Sequence, residues 1–137
     1  MSWINQQFPN ADGKHQITSE QDESHNCIAY AAGIIDEWWS HETGYKWPVT
    51  RSPLIESLVA VFASIGFEEC KSPAIEPGFQ KVALYKDGSM WTHAAKQLEN
   101  GKWKSKLGPD EDIEHDSAEC LCGVFYGTIH CYMRKPI

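Results

Sequence analysis

The segment Ser24-His25-Asn26-Cys27-Ile28-Ala29-Tyr30-Ala31 is where this sequence could do chemistry. It places a cysteine in the first turn of an expected helix, with Asn26 as the N-cap. Unpaired backbone N–H groups and the positive end of the helix dipole favour a thiolate there. A thiolate is a strong nucleophile, and neighbouring amides can cradle a developing oxyanion. The second candidate is His93, in Trp91-Thr92-His93-Ala94-Ala95, which falls mid-strand in an expected meander. A Cys–His pair needs only an imidazole within hydrogen-bond reach of the sulfur, supplied by a separate element. Read without chemistry, Cys27 is a buried helical thiol and His93 a satisfied, half-buried histidine. His15, His41 and His130 fall in loop, helix-end or near-terminal contexts and are weaker candidates.

A third group should orient the imidazole, and hairpin geometry selects it. A two-residue loop at Asn100-Gly101 would pair Ala95 with Lys106, whose donor-only cation is a poor partner for an imidazole N–H. A three-residue loop at Glu99-Asn100-Gly101, with Gly101 left-handed, pairs Ala95 with Ser105 instead. That register is preferred, and it makes Ser105 the orienting group. Asp112, Glu114 and His115 are its rivals from the next loop.

These groups depend on elements that the spacing also predicts. Residues 1–24 are polar and rich in turn formers, a loop-rich arm. Cys27, Ala31, Ile34, Ile35 and Trp38 recur at three- and four-residue steps, predicting a helix that Gly44 and Pro48 close. Ser52-Pro53 opens a second helix with a Leu54, Leu58, Phe62 and Ile65 stripe, ended by Gly66. Residues 68–78 form a connector. The period then changes to two: strands are expected over 79–86, 89–98, 102–107 and 124–133, with a turn at Asp87-Gly88, a loop over 108–112 and a short helix over 117–121. Two helices followed by an antiparallel meander is an α+β order.

The chain has 137 residues, 42% of them apolar, enough for one domain spanning 1–137 with a single core. Nineteen acids against 12 Lys and Arg give a net charge of −7, which excludes the basic face a nucleic-acid binder needs. No apolar run approaches a membrane span. The first residues lack a charged-then-apolar signal pattern, so the expectation is a cytoplasmic protein, or one delivered by a non-classical route. Five cysteines, Cys27, Cys70, Cys120, Cys122 and Cys131, read as reduced thiols. Cys120-Leu121-Cys122 with Cys131, His115 and His130 lacks the doubly paired spacing of a structural zinc site, so no metal and no cofactor is expected. The six tryptophans serve core packing or line a groove.

Asn26-Cys27-Ile28-Ala29-Tyr30-Ala31, Thr92-His93-Ala94-Ala95-Lys96-Gln97, Ser105-Lys106-Leu107-Gly108 and Ile113-Glu114-His115 resemble the blocks of a bacterial family of about this length. Their order is similar to that of papain-like cell-wall amidases and endopeptidases. The resemblance implies a papain-like fold, with N-terminal helices packed on a small antiparallel sheet. Cys27 would be the nucleophile and His93 the base. Ser105 stands 12 residues after His93, where such enzymes place their third residue, although His, Asn, Asp or Glu is usual there. Gln21, six residues before Cys27, matches the oxyanion-hole glutamine. The implied activity is cleavage of amide bonds in a peptide or peptidoglycan-like substrate. The alternatives are a non-catalytic interaction or immunity-type module that binds a protein partner, and a thiol-dependent acyltransferase.

Overall fold

The computed structural model describes residues 15–19, 26–33, 39–42, 44–106, 112–123 and 126–137. Seven strands form one antiparallel sheet: β1 (His15–Ser19), β2 (Glu68–Cys70), β3 (Phe79–Asp87), β4 (Met90–Gln97), β5 (Trp103–Lys106), β6 (Asp112–His115) and β7 (Thr128–Pro136). Their spatial order is β1-β6-β5-β4-β3-β7-β2. Among the described residues the helices are α1 (Cys27–Ala31) and α2 (Ile55–Ser64), with a 3₁₀ turn at Ala118–Leu121.

This corrects the expected papain-like α+β arrangement of N-terminal helices on a small sheet. The described residues are dominated by one open antiparallel sheet, and only α2, of 10 residues, exceeds two turns. The helical spacing that begins at Cys27 does not propagate: Ala32 is already the C-cap of a five-residue helix, and the Gly33 amide bonds back to the Tyr30 carbonyl. The expected continuation over 34–38 lies outside the described residues, as does the arm over 1–14 and 20–25.

Two-sided burial explains the architecture. Residues 81–85 of β3 are all buried, so this central strand needs cover on both faces. On one face Val82, Leu84, Ala94 and Met133 pack with Cys27, Ile28, Leu58 and Phe62 of the helices. On the other, Ala83, Tyr85, Ala95, Trp103 and Ile113 pack with Ala118, Cys120 and Leu121 of the 3₁₀ turn.

Local expectations fared better than topology. Leu98 accepts the amide of Gly101 and donates to Lys102, and the strands after it pair Lys96 with Lys104 and Gln97 with Trp103. Gly101 sits at φ +86°, in the three-residue loop register. Ser52 Oγ accepts from Leu54 N at 3.2 Å, so that serine caps the turn before α2 rather than α2 itself. Strands β1, β2 and β6 were not expected. Each has few apolar residues to set a period; β1 and β6 meet at Ile17 and Ile113, while β2 is recruited by β7.

Gly127 sits at φ +72°, and an added Cβ would lie 2.1 Å from the Lys86 carbonyl oxygen. At Gly101, by contrast, a Cβ would meet nothing within 4 Å. Gly127→Ala should therefore lower stability by about 3 kcal/mol or more, through both backbone strain and the clash. Gly101→Ala should cost only the conformational penalty of about 1–2 kcal/mol. Urea unfolding of the two variants checks the order; equal losses would contradict the close approach at Gly127.

Candidate functional site

Cys27 opens α1 as expected, and its environment is set by Asn26. Asn26 Oδ1 accepts from both Ala29 N and Trp39 N at 3.1 Å, while Nδ2 donates to the Trp39 carbonyl at 2.7 Å. One cap thus ends the helix and stitches it to a segment 13 residues on. Cys27 is 7% exposed and packs into the helix-side core.

His93 lies on the opposite face of the sheet. It pairs with Tyr85, and Tyr85 belongs to the second core cluster, whereas the adjacent pair Leu84 and Ala94 belongs to the cluster containing Cys27. Side chains alternate along a strand, so the sheet itself separates the thiol from this imidazole. The expected Cys27–His93 pair is not formed. A bulge hides this from the sequence: Lys86 pairs with Trp91 and Tyr85 with His93, which leaves Thr92 as the extra residue. Trp91 is thereby delivered to the helix side, and His93 to the other.

His93 is fully buried, and both ring nitrogens lack a hydrogen-bond partner. Its ring stacks on Tyr126 at 4.1 Å and meets Tyr85 edge-on at 5.2 Å. The bulged Thr92 holds this stack, donating its hydroxyl to the Tyr126 carbonyl at 2.6 Å. Burial drives the His93 pKa well below its ordinary value, and repulsion from His115 adds to the shift.

Ser105 does share the His93 face, but its partner is His115. Ser105 Oγ and His115 Nε2 are 2.8 Å apart, and His115 Nδ1 lies 2.7 Å from the Ser117 carbonyl. A carbonyl can only accept, so Nδ1 carries a proton and donates to Ser117, while Nε2 and the Ser105 hydroxyl share the second hydrogen bond. The relay resembles an activated serine, yet Ser105 and His115 are both 0% exposed, and it serves to satisfy buried polar atoms. The expectation that Ser105 orients His93 is corrected accordingly: the β6 register brings His115 opposite Trp103, next to Ser105. Gln21, the oxyanion candidate, lies outside the described residues.

No disulfide joins any of the five cysteines in the structure. Burial pushes the Cys131 thiol up to about 12, with Glu69 and Cys70 adding to the effect, and burial also raises Cys122. Cys120 is 3% exposed, with its sulfur 3.5 Å from Ser117 Oγ.

A second grouping, which sequence reasoning missed, lies at the β3–β4 turn. Trp47 stacks on Trp91 at 5.4 Å, and His41 meets Trp91 edge-on at 5.5 Å. Leu54 and Met90 are backbone-bridged neighbours beside them, 44% and 50% exposed. Trp91 Nε1 and His41 Nδ1 are buried without partners. Arg51 shapes the adjoining loop by donating to the carbonyls of Ser40, Glu42 and Tyr45 at 3.3, 2.7 and 2.6 Å. The signal in the sequence was the tryptophan count, but Trp39, Trp47 and Trp103 are buried at 5%, 7% and 2%, and the exposed large apolar groups among the described residues are Tyr45, Leu54, Ile75, Met90 and Ile137.

The orphaned His93 generates a pH dependence with a definite sign. Its folded pKa lies below the unfolded value near 6.5, so the unfolded chain binds the proton more readily. Its contribution is intact above about pH 6.5 and is lost as pH falls, at up to about 1.4 kcal/mol per pH unit. Denaturant titrations between pH 5 and 8 should show His93→Phe, which keeps the stack on Tyr126, with a shallower acid loss than the wild type. Parallel curves would mean the ring takes up its proton in the fold as readily as in the unfolded chain.

No curated protein and no solved structure matches the chain. A family profile described as a domain of unknown function, DUF7689, matches residues 16–134. The chain belongs to the DUF7689 family.

Proposed function

We propose that this domain is a binding module whose aromatic platform takes an apolar side chain from an extended segment of a partner protein. The observation that carries the reading is the Trp47–Trp91–His41 cluster flanked by exposed Leu54 and Met90. Tryptophan-rich, partly desolvated surfaces ringed by apolar groups are where binding energy concentrates.

The thiol hydrolase and acyltransferase readings fit the geometry less well. They need an imidazole beside Cys27, and His93 is across the sheet. The likeness to papain-like enzymes gains nothing from the family match, whose description names no activity. No helix of the described residues is long and apolar enough to cross a membrane.

Selection of peptides from a random display library on the full chain tests the reading. Selected peptides should carry one aromatic or large aliphatic anchor and should perturb tryptophan fluorescence. Leu54→Ser with Met90→Ser, both surface changes, should weaken their binding at least tenfold, about 1.4 kcal/mol, without unfolding the domain. Cys27→Ser should bind as the wild type does. Peptides indifferent to the Leu54 and Met90 changes would refute the platform. Turnover of an amide substrate that is lost with Cys27→Ser would restore the hydrolase.

A further inference from the structure

We infer that Glu69, His130 and Cys131 form a site for a borderline-soft divalent metal ion, zinc being the best fit. A carboxylate oxygen, an imidazole nitrogen and a thiol sulfur lie within 4.8 Å of one another at the β2 edge of the sheet. This revises the expectation that the chain holds no metal.

The backbone explains how three ligands from two strands meet. On β7, Cys131 pairs with Leu84 while Ile129 pairs with Tyr85, so His130 is an extra residue in a bulge. A bulge breaks the strict alternation of a strand and re-aims a side chain, here letting consecutive residues serve one point. Glu69 enters from β2, where it pairs with Met133, two residues beyond Cys131 and hence on the same face. The donor set was invisible as a motif because His130-Cys131 is contiguous and Glu69 lies about sixty residues earlier.

Donor chemistry decides the ion. Thiolate and imidazole disfavour calcium and magnesium and suit zinc or cobalt, and a carboxylate completes a set common to both. Tetrahedral ligands at zinc bond lengths of 2.0–2.3 Å stand about 3.3–3.7 Å apart, so closure requires a shift of about 1 Å. Glu69 and His130 are exposed and can supply it by rotamer changes. On binding, Cys131 loses its proton to solvent and forms the sulfur–metal bond; no oxidant or reductant is needed. Three protein ligands leave a fourth position for water or an incoming donor. A groove of about 550 Å³ opens beside it, lined by His130, Cys131, Cys70 and Cys122. The ion would also tie the three-residue strand β2 to β7.

Cobalt titration of the reduced, metal-free full chain tests the site. One equivalent of Co²⁺ should bind with a thiolate-to-cobalt charge-transfer band, and Zn²⁺ should abolish that band by displacement. Cys131→Ser should remove the band. His130→Gln and Glu69→Gln, at exposed positions that leave the core untouched, should each weaken affinity by more than the 10–100-fold that loss of an outer partner costs. Zn²⁺ should raise the melting temperature of the wild type and leave that of His130→Gln unmoved. Cys120→Ser should behave as the wild type. Absence of a charge-transfer band, its persistence in Cys131→Ser, or undiminished affinity in His130→Gln would overturn the assignment. Should Cys131→Ser fail to fold, the two exposed variants decide.

Discussion

Burial of β3 on both faces is the constraint from which the other features follow. Residues 82–85 pair with β4 on one side and β7 on the other, so their backbone groups are satisfied within the sheet. Their side chains demand cover above and below. Among the described residues the helices shield one face, and the 3₁₀ turn, Trp103 and Tyr126 shield the other. Even the charged member of the strand is accommodated. Lys81 is 1% exposed, and its ammonium donates to the carbonyls of Ser72 and Ala74 at 2.8 and 2.6 Å and to Glu76 at 2.8 Å. A buried charge is tolerable only with such complete pairing. Glu76 in turn bonds Arg134, which holds Glu68 on β2, so the connector and the edge strand are bound to the centre through one network.

The two faces are chemically unlike. The helix side carries Cys27, the indoles of Trp39 and Trp47, and aliphatic groups. The other carries imidazoles, hydroxyls and phenols: His93, His115, Ser105 and Tyr85 are all buried there. Polar satisfaction on that face is uneven. Tyr85 donates to the Ala118 carbonyl at 2.6 Å and Ser105 is hydrogen-bonded to His115, while His93 has only ring stacking. Stacking keeps the neutral imidazole in place but cannot stabilise its charged form.

Two bulges sit at the same level on either side of β3, near Leu84 to Lys86. The β4 bulge expels Thr92 from register and brings Trp91 to the platform. The β7 bulge does the same with His130 and sets it beside Cys131. Between them Gly127 presses on the Lys86 carbonyl, where no other residue fits. The platform and the Glu69, His130 and Cys131 cluster therefore share one structural origin: local breaks in alternation, forced where a twisted sheet turns at its hairpin end.

Local chemistry by itself determined the short-range features. Asn26 caps α1, Gly66 ends α2, the loop at Gly101 fixes the register that puts Ser105 on the His93 face, and the turn joining β3 to β4 falls at Gly88-Ser89, one residue beyond the expected Asp87-Gly88. These rest on turn and cap preferences acting over a few residues, which a single sequence displays. Tertiary structure decided what depends on pairing at a distance. β1, β2 and β6 are too short and polar to announce themselves, and they exist because a neighbouring strand offers unpaired backbone groups. The side of the sheet each candidate occupies was decided the same way. A one-residue bulge reverses the face of everything beyond it, so the periodicity that located His93 on a strand could not tell which way it points.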